Sequence, residues 1–385
     1  MKRNLLVVHG GGPTAVMNAS LCGVIRCAGQ HACIDRIYGA KGGMRGLLEE
    51  AFVDLTELSE ATMDSLMRTP GSAIGTSRYP VSEDAYKGIP AILHRHNIGY
   101  VLLNGGNGTM DTASRIYEAC HNEDIAVLGI PKTVDNDIAW TDHSPGYGSA
   151  ARFMMQSTAE IIADVRALPI HVAVIEAMGR NAGWITAASA LAEDAGLGGP
   201  DLIYLPEFDF CAQAFLRDVK DILSRKAGMV VVCSEGLHDA EGNPVVAPVY
   251  RSDRATYFGN VSAYLADLVS GHLGYKAYSI KPGLLGRAAS LCVSTTDRCE
   301  AFDVGRFATE AAVSGESGKM VGLVRNPDGD YSVQFQLYDL QSVRLFERKM
   351  PEEYVNAEHN GITEAFKNWC RPLVGEPLPG FCSFQ

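Results

Sequence analysis

Short apolar runs alternate with longer stretches that carry apolar residues at helical spacing along most of the chain. The apolar runs predict β-strands at residues 5–8, 36–38, 100–103, 126–130, 171–176, 202–205 and 229–233. The stretches between them predict α-helices at residues 16–28, 82–96, 110–120, 149–168, 181–192 and 211–226. Because strands and helices alternate in this way, we predict an α/β fold of two Rossmann-like lobes with mostly parallel sheets.

No Pro/Ser-rich linker and no low-complexity segment marks a boundary between these lobes. We therefore expect the chain to cross from one lobe to the other. The predicted lobes cover residues 1–140, with a later crossover, and residues 141–310. Residues 311–385 are predicted to return across the lobes, with a late strand near residues 331–340.

Glycines and charged residues follow the predicted strands at their carboxyl ends. The motifs, in chain order, are HGGGPTAVMN, NGGNGTMD, PKTVDND, EAMGRNAGW and SEG. In open α/β sheets, ligands bind outside the carboxyl ends of the strands. The sequence therefore predicts a binding site built from these motifs.

Composition narrows the classes of function. The net charge of −12 and the pI of about 5.3 argue against nonspecific binding to nucleic acid or to an anionic membrane surface. No apolar run is long enough to predict a transmembrane helix. The 10 cysteines form no CxxC pair, which predicts reduced thiols in a cytoplasmic protein.

Two glycine-rich turns precede predicted helices, at residues 10–12 and at residues 105–109. Glycines lack side chains, so their backbone amides can approach an anion at a helix N-terminus. Neither turn has the P-loop pattern GxxxxGK[ST] or the dinucleotide pattern GxGxxG. Tight strand-to-helix turns without a ligand remain the alternative.

Asp135 and Asp137 stand two positions apart after a predicted buried strand. In an extended backbone both side chains would face the same side. One carboxylate can then take a proton from a hydroxyl group while the other holds Mg²⁺. Lys132 and Thr133 supply donors for a phosphoryl group. A turn capped by the aspartates is the structural alternative.

The motifs GGGPTAVMNA, GTSRY, GGNGTMD, PKTVDND, EAMGRNAGW and SEG stand in the order and at roughly the spacing of the phosphofructokinase family. The chain resembles this family over at least residues 5–310. The resemblance implies a donor-phosphate lobe followed by an acceptor-sugar lobe. It also implies a Mg²⁺-dependent glycolytic phosphotransferase that uses ATP or pyrophosphate, with fructose 6-phosphate as the default acceptor, in a homodimer or homotetramer.

The resemblance also assigns roles to individual residues. Asp135 matches the general base, and the other catalytic positions are Lys132, Thr133 and Arg78. The donor-binding positions are Gly11, Tyr79, Gly106, Asn107, Gly108 and Thr109. The acceptor-binding positions are Asp137, Met178, Gly179, Arg180, Glu235, Tyr278, Arg287 and His171. The metal candidates are Asn107 and Asp137.

Two features of the donor motifs point in different directions. Gly108 stands where pyrophosphate users carry an aspartate that crowds a nucleotide, so this position favours ATP. Lys132 is typical of pyrophosphate users. Asn107 replaces an aspartate associated with the metal, which removes a negative charge. We expect ATP as the donor, with pyrophosphate as the alternative.

The acceptor motifs depart further from the family. Residues that commonly bind the 6-phosphate are replaced by His171, Tyr278, Leu284 and Gly286, and only Arg287 remains. A phosphate dianion needs several charge-assisted hydrogen bonds when it leaves water. The sequence therefore leaves two alternatives open. The acceptor is an unphosphorylated sugar or a cyclic polyol such as inositol, or Lys276 or Lys281 binds the phosphate instead.

Two readings from other classes remain beside the enzyme. An inactive regulatory relative that binds a sugar phosphate would explain Asn107, but the intact Lys132, Thr133, Asp135 and Asp137 speak against it. An NAD-dependent oxidoreductase would need a Rossmann fingerprint, which the sequence lacks.

Two residues near the motifs are predicted to be structural. His143 shows no metal-ligand spacing with the other histidines near the motifs. Trp184 follows MGRNAG on a helical pattern, which is typical of a core residue.

Overall fold

The computed structural model describes residues 2–168, 171–252, 255–344 and 346–384. The β-strands are β1 Arg3–His9, β2 Ile34–Ala40, β3 Phe52–Asp54, β4 Ile98–Gly105, β5 Ala126–Pro131, β6 His171–Ala177, β7 Leu202–Tyr204, β8 Gly228–Ser234, β9 Pro248–Ser252, β10 Ala255–Phe258, β11 Ala277–Ile280, β12 Lys319–Arg325 and β13 Val333–Asp339.

The α-helices are α1 Met17–Ala28, α2 Met44–Leu48, α3 Glu60–Arg68, α4 Glu83–Arg95, α5 Asn107–Ala119, α6 Tyr147–Ala167, α7 Trp184–Ala188, α8 Ala212–Leu223, α9 Val261–Leu273, α10 Leu285–Ala288, α11 Thr295–Val313, α12 Leu340–Val343 and α13 Glu364–Cys370. Short 3₁₀ helices span Ser189–Ala195, Ser290–Cys292, Glu352–Tyr354 and Arg371–Val374. In the described residues, no helix combines the length and apolar character that a membrane span requires.

The chain forms two compact units, and each is built from two separate stretches of sequence. The first unit contains residues 1–147 and 296–348, and the second contains residues 148–295 and 349–385. The allocation of donor and acceptor roles to particular parts of the chain stays a prediction.

The first unit is organised around one mixed sheet with the strand order β13-β12-β5-β4-β1-β2-β3. Strands β2, β1, β4, β5 and β12 run parallel, and the edge strands β3 and β13 are antiparallel to their neighbours. Leu5, Leu6 and Val7 in β1 are all fully buried, so both faces of the sheet are covered. Continuous apolar strands are typical of such sheets, and the predicted α/β fold is confirmed.

The second unit contains a parallel sheet with the order β11-β6-β8-β7. Strands β9 and β10 form a separate antiparallel pair. Trp184 is fully buried, as predicted, and its ring packs 4.9 Å from Trp369 and 6.3 Å from Phe366. The single helix predicted over residues 181–192 is instead the short α7 followed by a 3₁₀ helix that ends before the left-handed Gly196.

Helix α11 has no counterpart among the predicted elements. Its buried positions include Asp297, Glu300 and Thr309 as well as apolar residues. Polar residues on a buried face break the apolar periodicity that identifies a helix in a sequence. Contacts far along the chain, with the start of the first unit, determine which face of α11 is buried.

Helices α1 and α11 approach each other so closely that their backbones touch. A Cβ atom on Gly23 would collide with the carbonyl oxygen of Phe302, and one on Gly305 would collide with that of Ser20. Neither obstacle is the end of a flexible side chain. The two glycines therefore set the distance between the helices.

We predict that Gly23→Ala destabilises the protein by about 1–3 kcal/mol or more, because the helices must separate to admit the methyl group. The matched control is Gly88→Ala in α4, where an added Cβ has no neighbour within 4 Å. This control should stabilise the protein by about 0.5–1 kcal/mol, since alanine is the better helix former. Urea unfolding measures both changes, and equal stability of the two variants would contradict the prediction.

Candidate active site

The first glycine turn, residues 10–12, leaves β1 at the carboxyl edge of the first unit's sheet. Gly11 has φ +74°, which favours glycine. Its carbonyl accepts a 2.9 Å hydrogen bond from Thr76 Oγ1, and Gly10 forms a bridge with Ser77. These bonds hold the segment that carries Arg78 beside the turn. Arg78 and the next residue, Tyr79, are both exposed.

Two N–H groups of this turn, those of Gly10 and Gly11, form hydrogen bonds within the protein. Gly10 donates to the Asn104 carbonyl at 2.9 Å, and Gly11 donates to the Ser77 carbonyl at 3.3 Å. The role of this turn in binding the donor phosphate stays a prediction. The charge of Lys132 lies beside the turn.

Lys132 follows β5 and is only 2% exposed. Its Nζ donates to the carbonyl oxygens of Gly10 at 3.1 Å and Gly12 at 2.6 Å. The cation is therefore fixed against the glycine turn. Burial, and then the charge of Lys132, lowers the pKa of His9 to about 3, so His9 is neutral at pH 7.

The second glycine turn caps α5 and packs directly against the first. A Cβ atom on Gly10 would collide with Thr109 Oγ1, which leaves no room for a side chain there. Gly106 is the N-cap residue of α5. A Cβ on Gly108 would have no neighbour within 4 Å, so open space adjoins this residue.

Residues 133–146, here called the acid loop, carry Asp135 and Asp137. The loop closes on itself, since Thr133 N donates to the Pro145 carbonyl at 3.2 Å and Ser144 N donates to Asn136 Oδ1 at 3.0 Å. Asn136 has φ +53°, so the extended backbone predicted here is wrong. Asparagine tolerates this left-handed conformation, and its side chain ties the loop together between the two aspartates.

Asn107 and Asp137 meet at the start of α5. Asn107 Nδ2 donates to the backbone carbonyl of Asp137 at 3.3 Å. The Oδ1 atoms of both residues are buried and accept no hydrogen bond. Burial, and secondarily the charge of Glu347, raises the pKa of Asp137.

Two buried oxygens without hydrogen-bond donors fit a Mg²⁺ ion that takes its other ligands from water and phosphate. Within the described residues, no group of three or more His, Cys, Asp and Glu side chains is arranged to hold a metal. A cation here would therefore depend on Asn107, Asp137 and the substrate.

The sequence analysis missed Glu347. It forms a bridge with Ile138, and the adjacent Arg348 donates its backbone N–H to the Asp137 carbonyl at 2.8 Å. This segment lies far along the chain, beyond α12, and no local motif marks it. Its position beside the acid loop follows only from tertiary folding.

In the second unit, the MGR and SEG motifs lie against each other at the carboxyl ends of β6 and β8. Gly179 N donates to Glu235 Oε1 at 3.4 Å, and Ser234 Oγ donates to the Gly179 carbonyl at 2.6 Å. A Cβ on Gly236 would collide with the carbonyl oxygen of Arg180. Burial raises the pKa of Glu235.

The helix that carries Arg287 also belongs to this group. A Cβ on the preceding Gly286 would lie 3.8 Å from Met178 Sδ, so α10 lies beside the MGR motif. At this position, where the family resemblance implies a glutamine, an added Cβ would make only ordinary van der Waals contacts with Met178 and Phe153.

His171 and Tyr278 are not brought to this group within the chain. His171 begins β6, whereas Met178 follows its last residue, which places them roughly 20 Å apart along a strand. His171 Nδ1 accepts a 3.0 Å hydrogen bond from Lys276 N, and Lys276 Nζ lies 5.0 Å from the centre of the Tyr278 ring. Their predicted acceptor roles stay predictions.

Lys281, which the sequence offered only as an alternative, lies closer to the MGR and SEG motifs. Its Nζ forms a 2.5 Å ion pair with Glu176 Oε1 and counteracts the rise in the pKa of Glu235. Glu176 is buried and offsets the charge of this lysine. Lys276 lies instead beside Tyr278.

A sequence profile described as phosphofructokinase matches residues 4–312. The chain belongs to the phosphofructokinase family. The predicted family is thereby confirmed, together with the predicted class of enzyme, a phosphotransferase of phosphofructokinase type.

Three proteins are similar to this phosphofructokinase-family chain over nearly its whole length. A pyrophosphate–fructose 6-phosphate 1-phosphotransferase from Rhodospirillum rubrum is 37% identical over 391 residues, covering 98% of this chain and 96% of that protein. A sulfofructose kinase from Alkalicoccus urumqiensis is 32% identical over 374 residues, covering 95% and 94%. The crystal structure of a pyrophosphate-dependent phosphofructokinase from Marinobacter aquaeolei has a TM-score of 0.88 and 32% identity, covering 99% and 94%.

We predict that Gly236→Ala displaces the MGR motif of this phosphofructokinase-family chain, because the added methyl group collides with the Arg180 backbone. Amide hydrogen exchange of residues 178–182 should become faster. The control is Gly271→Ala in α9 of the same unit, where a Cβ meets nothing within 4 Å. Unchanged exchange in the Gly236 variant would refute the packing described here.

Proposed function

We propose that this chain transfers a phosphoryl group from pyrophosphate to fructose 6-phosphate. The observation that carries the proposal is the buried Lys132, whose Nζ is fixed against the carbonyls of Gly10 and Gly12. A lysine at this position is typical of pyrophosphate users in the family. Its fixed positive charge suits a compact, highly charged donor. The nearly full-length similarity to a pyrophosphate-dependent transferase supports the same donor.

In this mechanism Asp135 is the general base that removes the proton from the acceptor hydroxyl as the new bond to phosphorus forms. Lys132, Thr133 and Arg78 neutralise the charge on the phosphoryl group. Phosphoryl transfer depends mostly on positioning and charge neutralisation, so this set supplies what the reaction requires. The acid loop supports the assignment because its internal hydrogen bonds hold Asp135 in one place.

We assign the Mg²⁺ ligands to the Oδ1 atoms of Asn107 and Asp137, which accept no hydrogen bond within the described residues. When bound, Mg²⁺ would neutralise charge on the phosphate oxygens of the donor. The neutral Asn107 gives this pair one negative charge fewer than two aspartates would. Much of the binding free energy of the ion would then come from the phosphates.

ATP is the second candidate donor, and one observation favours it. The space beside Gly108 is open, so nothing within 4 Å of a Cβ at this position would exclude the larger nucleotide. The sequence analysis favoured ATP on the same residue. Pyrophosphate is the first candidate because Lys132 is fixed at the turn, whereas open space alone contributes no binding energy.

For the acceptor, the set formed by Met178, Gly179, Arg180, Glu235 and Arg287 is proposed to bind the sugar. An acceptor with a sulfonate in place of the phosphate is the second candidate. The ion pair between Lys281 and Glu176 supports this candidate, because the Glu176 carboxylate neutralises the positive charge of Lys281 near the proposed sugar-binding residues. A sulfonate carries a single negative charge and needs fewer cations than a phosphate dianion.

We further propose that the chain acts as a homodimer or homotetramer. His171 and Tyr278 lie at the amino end and in the adjoining strand of the second unit's sheet, away from the MGR motif. An acceptor role for these two residues would therefore require a neighbouring subunit.

We predict that Asp135→Asn lowers kcat by about 10²- to 10⁴-fold, the usual contribution of a general base, with KM changed little. The variant keeps the size and shape of the side chain and removes its basicity, because an amide NH₂ donor replaces one carboxylate oxygen. Asp35→Asn, at an aspartate that is 52% exposed and 3.9 Å from Lys2, serves as the control and should keep full activity. Full turnover by the Asp135 variant would disprove its role as the base.

A turnover matrix tests the substrates. Pyrophosphate or ATP, each with Mg²⁺, is combined with fructose 6-phosphate, sulfofructose, fructose and myo-inositol. We expect the highest kcat/KM for pyrophosphate with fructose 6-phosphate. A preference for ATP would refute the donor assignment, and a preference for another acceptor would refute the phosphate assignment. No turnover with any pair would favour the inactive regulatory relative.

A further inference from the structure

His143 lies at the centre of a buried charged cluster in the first unit and is only 2% exposed. Its Nδ1 lies 2.8 Å from Asp142 Oδ2, and its Nε2 lies 2.6 Å from Glu300 Oε2. An ionised carboxylate only accepts hydrogen bonds, so a ring nitrogen that faces one carries the proton. With Asp142 and Glu300 both ionised, the geometry matches the doubly protonated, positively charged imidazolium.

The surrounding charges agree with this protonation state. Arg325 Nη2 donates to Asp142 Oδ2 at 3.1 Å, and Tyr331 Oη donates to Glu300 Oε1 at 2.6 Å. Arg325 and a charged His143 supply two positive charges beside the Asp142 and Glu300 carboxylates. Burial lowers the pKa of His143, but the Glu300 and Asp142 carboxylates outweigh burial and raise that pKa to about 9.

The cluster fixes the far end of the acid loop. Helix α11 holds the loop twice on one face, through Glu300 at His143 and through Asp297 Oδ1, which accepts the Gly146 N–H at 2.7 Å. From the other side, Arg348 Nη1 donates to the backbone carbonyls of Thr141 and Asp142. These contacts leave the segment around His143 with little freedom to move.

A short covalent and hydrogen-bonded path joins this anchor to the proposed base. Ser144 follows His143 directly, and its N–H donates to Asn136 Oδ1 at 3.0 Å. Asn136 lies between Asp135 and Asp137 in the sequence. A shift at His143 therefore moves the residue that ties the two aspartates to the rest of the loop.

We propose that His143 is a positioning residue, held as an imidazolium between Asp142 and Glu300, that keeps the acid loop and Asp135 in the geometry needed for turnover. The kinetic part of this inference rests on the proposed phosphotransfer. The groups that contact the His143 ring are Asp142 in the loop, Glu300 on α11 and Tyr331 before β13. The other charged groups of the cluster contact the loop beside His143: Arg325 at Asp142, Asp297 at Gly146, and Arg348 at the Thr141 and Asp142 carbonyls.

Protonation of His143 is tested on the wild-type protein without any substrate. In ¹⁵N-histidine NMR, with the signal assigned by its loss in His143→Gln, both ring nitrogens should be protonated at pH 7 and titrate near pH 9. A single protonated nitrogen at pH 7 would overturn the proposal. The result does not depend on which substrates the enzyme uses, because no substrate is added.

His143→Gln tests positioning. We expect kcat to fall about 10- to 100-fold with KM changed less than about threefold, and amide exchange in residues 134–146 to accelerate. His94→Gln is the matched control, since His94 also contacts a carboxylate at 2.6 Å, but with a side chain that is 47% exposed. Wild-type kcat together with wild-type amide exchange in the His143 variant would overturn the proposal.

The pH dependence separates positioning from a merely structural role. The wild-type kcat should fall as pH rises through about 9, where His143 loses its proton, and Glu300→Gln should move this fall to lower pH because one stabilising charge is removed. The free energy of unfolding should fall over the same pH range. Because the pKa of His143 is raised on folding, its contribution to stability is complete below about pH 6.5 and is lost as pH rises to about 9. If kcat falls at the same pH in Glu300→Gln as in the wild type, the proposal is refuted. This test applies even if the His143 variant does not fold.

Discussion

Backbone groups that leave a parallel sheet lose the neighbouring strand that paired them, and each must find another partner. In the candidate active-site motifs of this chain, polar side chains and neighbouring backbone groups provide many of these partners. The Gly10 and Gly12 carbonyls accept from Lys132, the Ser144 N–H donates to Asn136, and the Gly179 N–H donates to Glu235. The polar residues that carry the proposed chemistry are therefore also held in place by the backbone that surrounds them.

The same polar residues pair with backbone groups and carry the proposed chemistry, so they stand together in short motifs that can be recognised in the sequence. Apolar runs that are buried on both faces identify β1, β4, β5, β6 and β8, and the residues directly after them fall at one edge of each sheet. Short-range rules are sufficient for this step, because strand period and turn composition depend on neighbouring residues. The family resemblance and the α/β architecture followed from the same local patterns.

The rest of the site depends on contacts that no local pattern records. Glu347 and Glu300 reach the acid loop from parts of the chain that follow the whole middle segment. The left-handed Asn136 breaks the alternation assumed for an extended strand end. The sequence did not mark His143 as a positioning residue, because that proposed role depends on its contacts with two carboxylates, and Glu300 is distant in sequence. Such contacts can be identified only from the three-dimensional structure.

The division of the chain also has a consequence for synthesis on the ribosome. Strand β12, which pairs with β5 within the first unit's sheet, and helix α11, which packs against α1, are translated only after residues 148–295 have emerged. Until then the nascent first unit has an uncovered α1 and an unpaired strand edge at β5. Both surfaces are of the kind that chaperones recognise, so the order of translation makes this chain vulnerable to aggregation before it is complete.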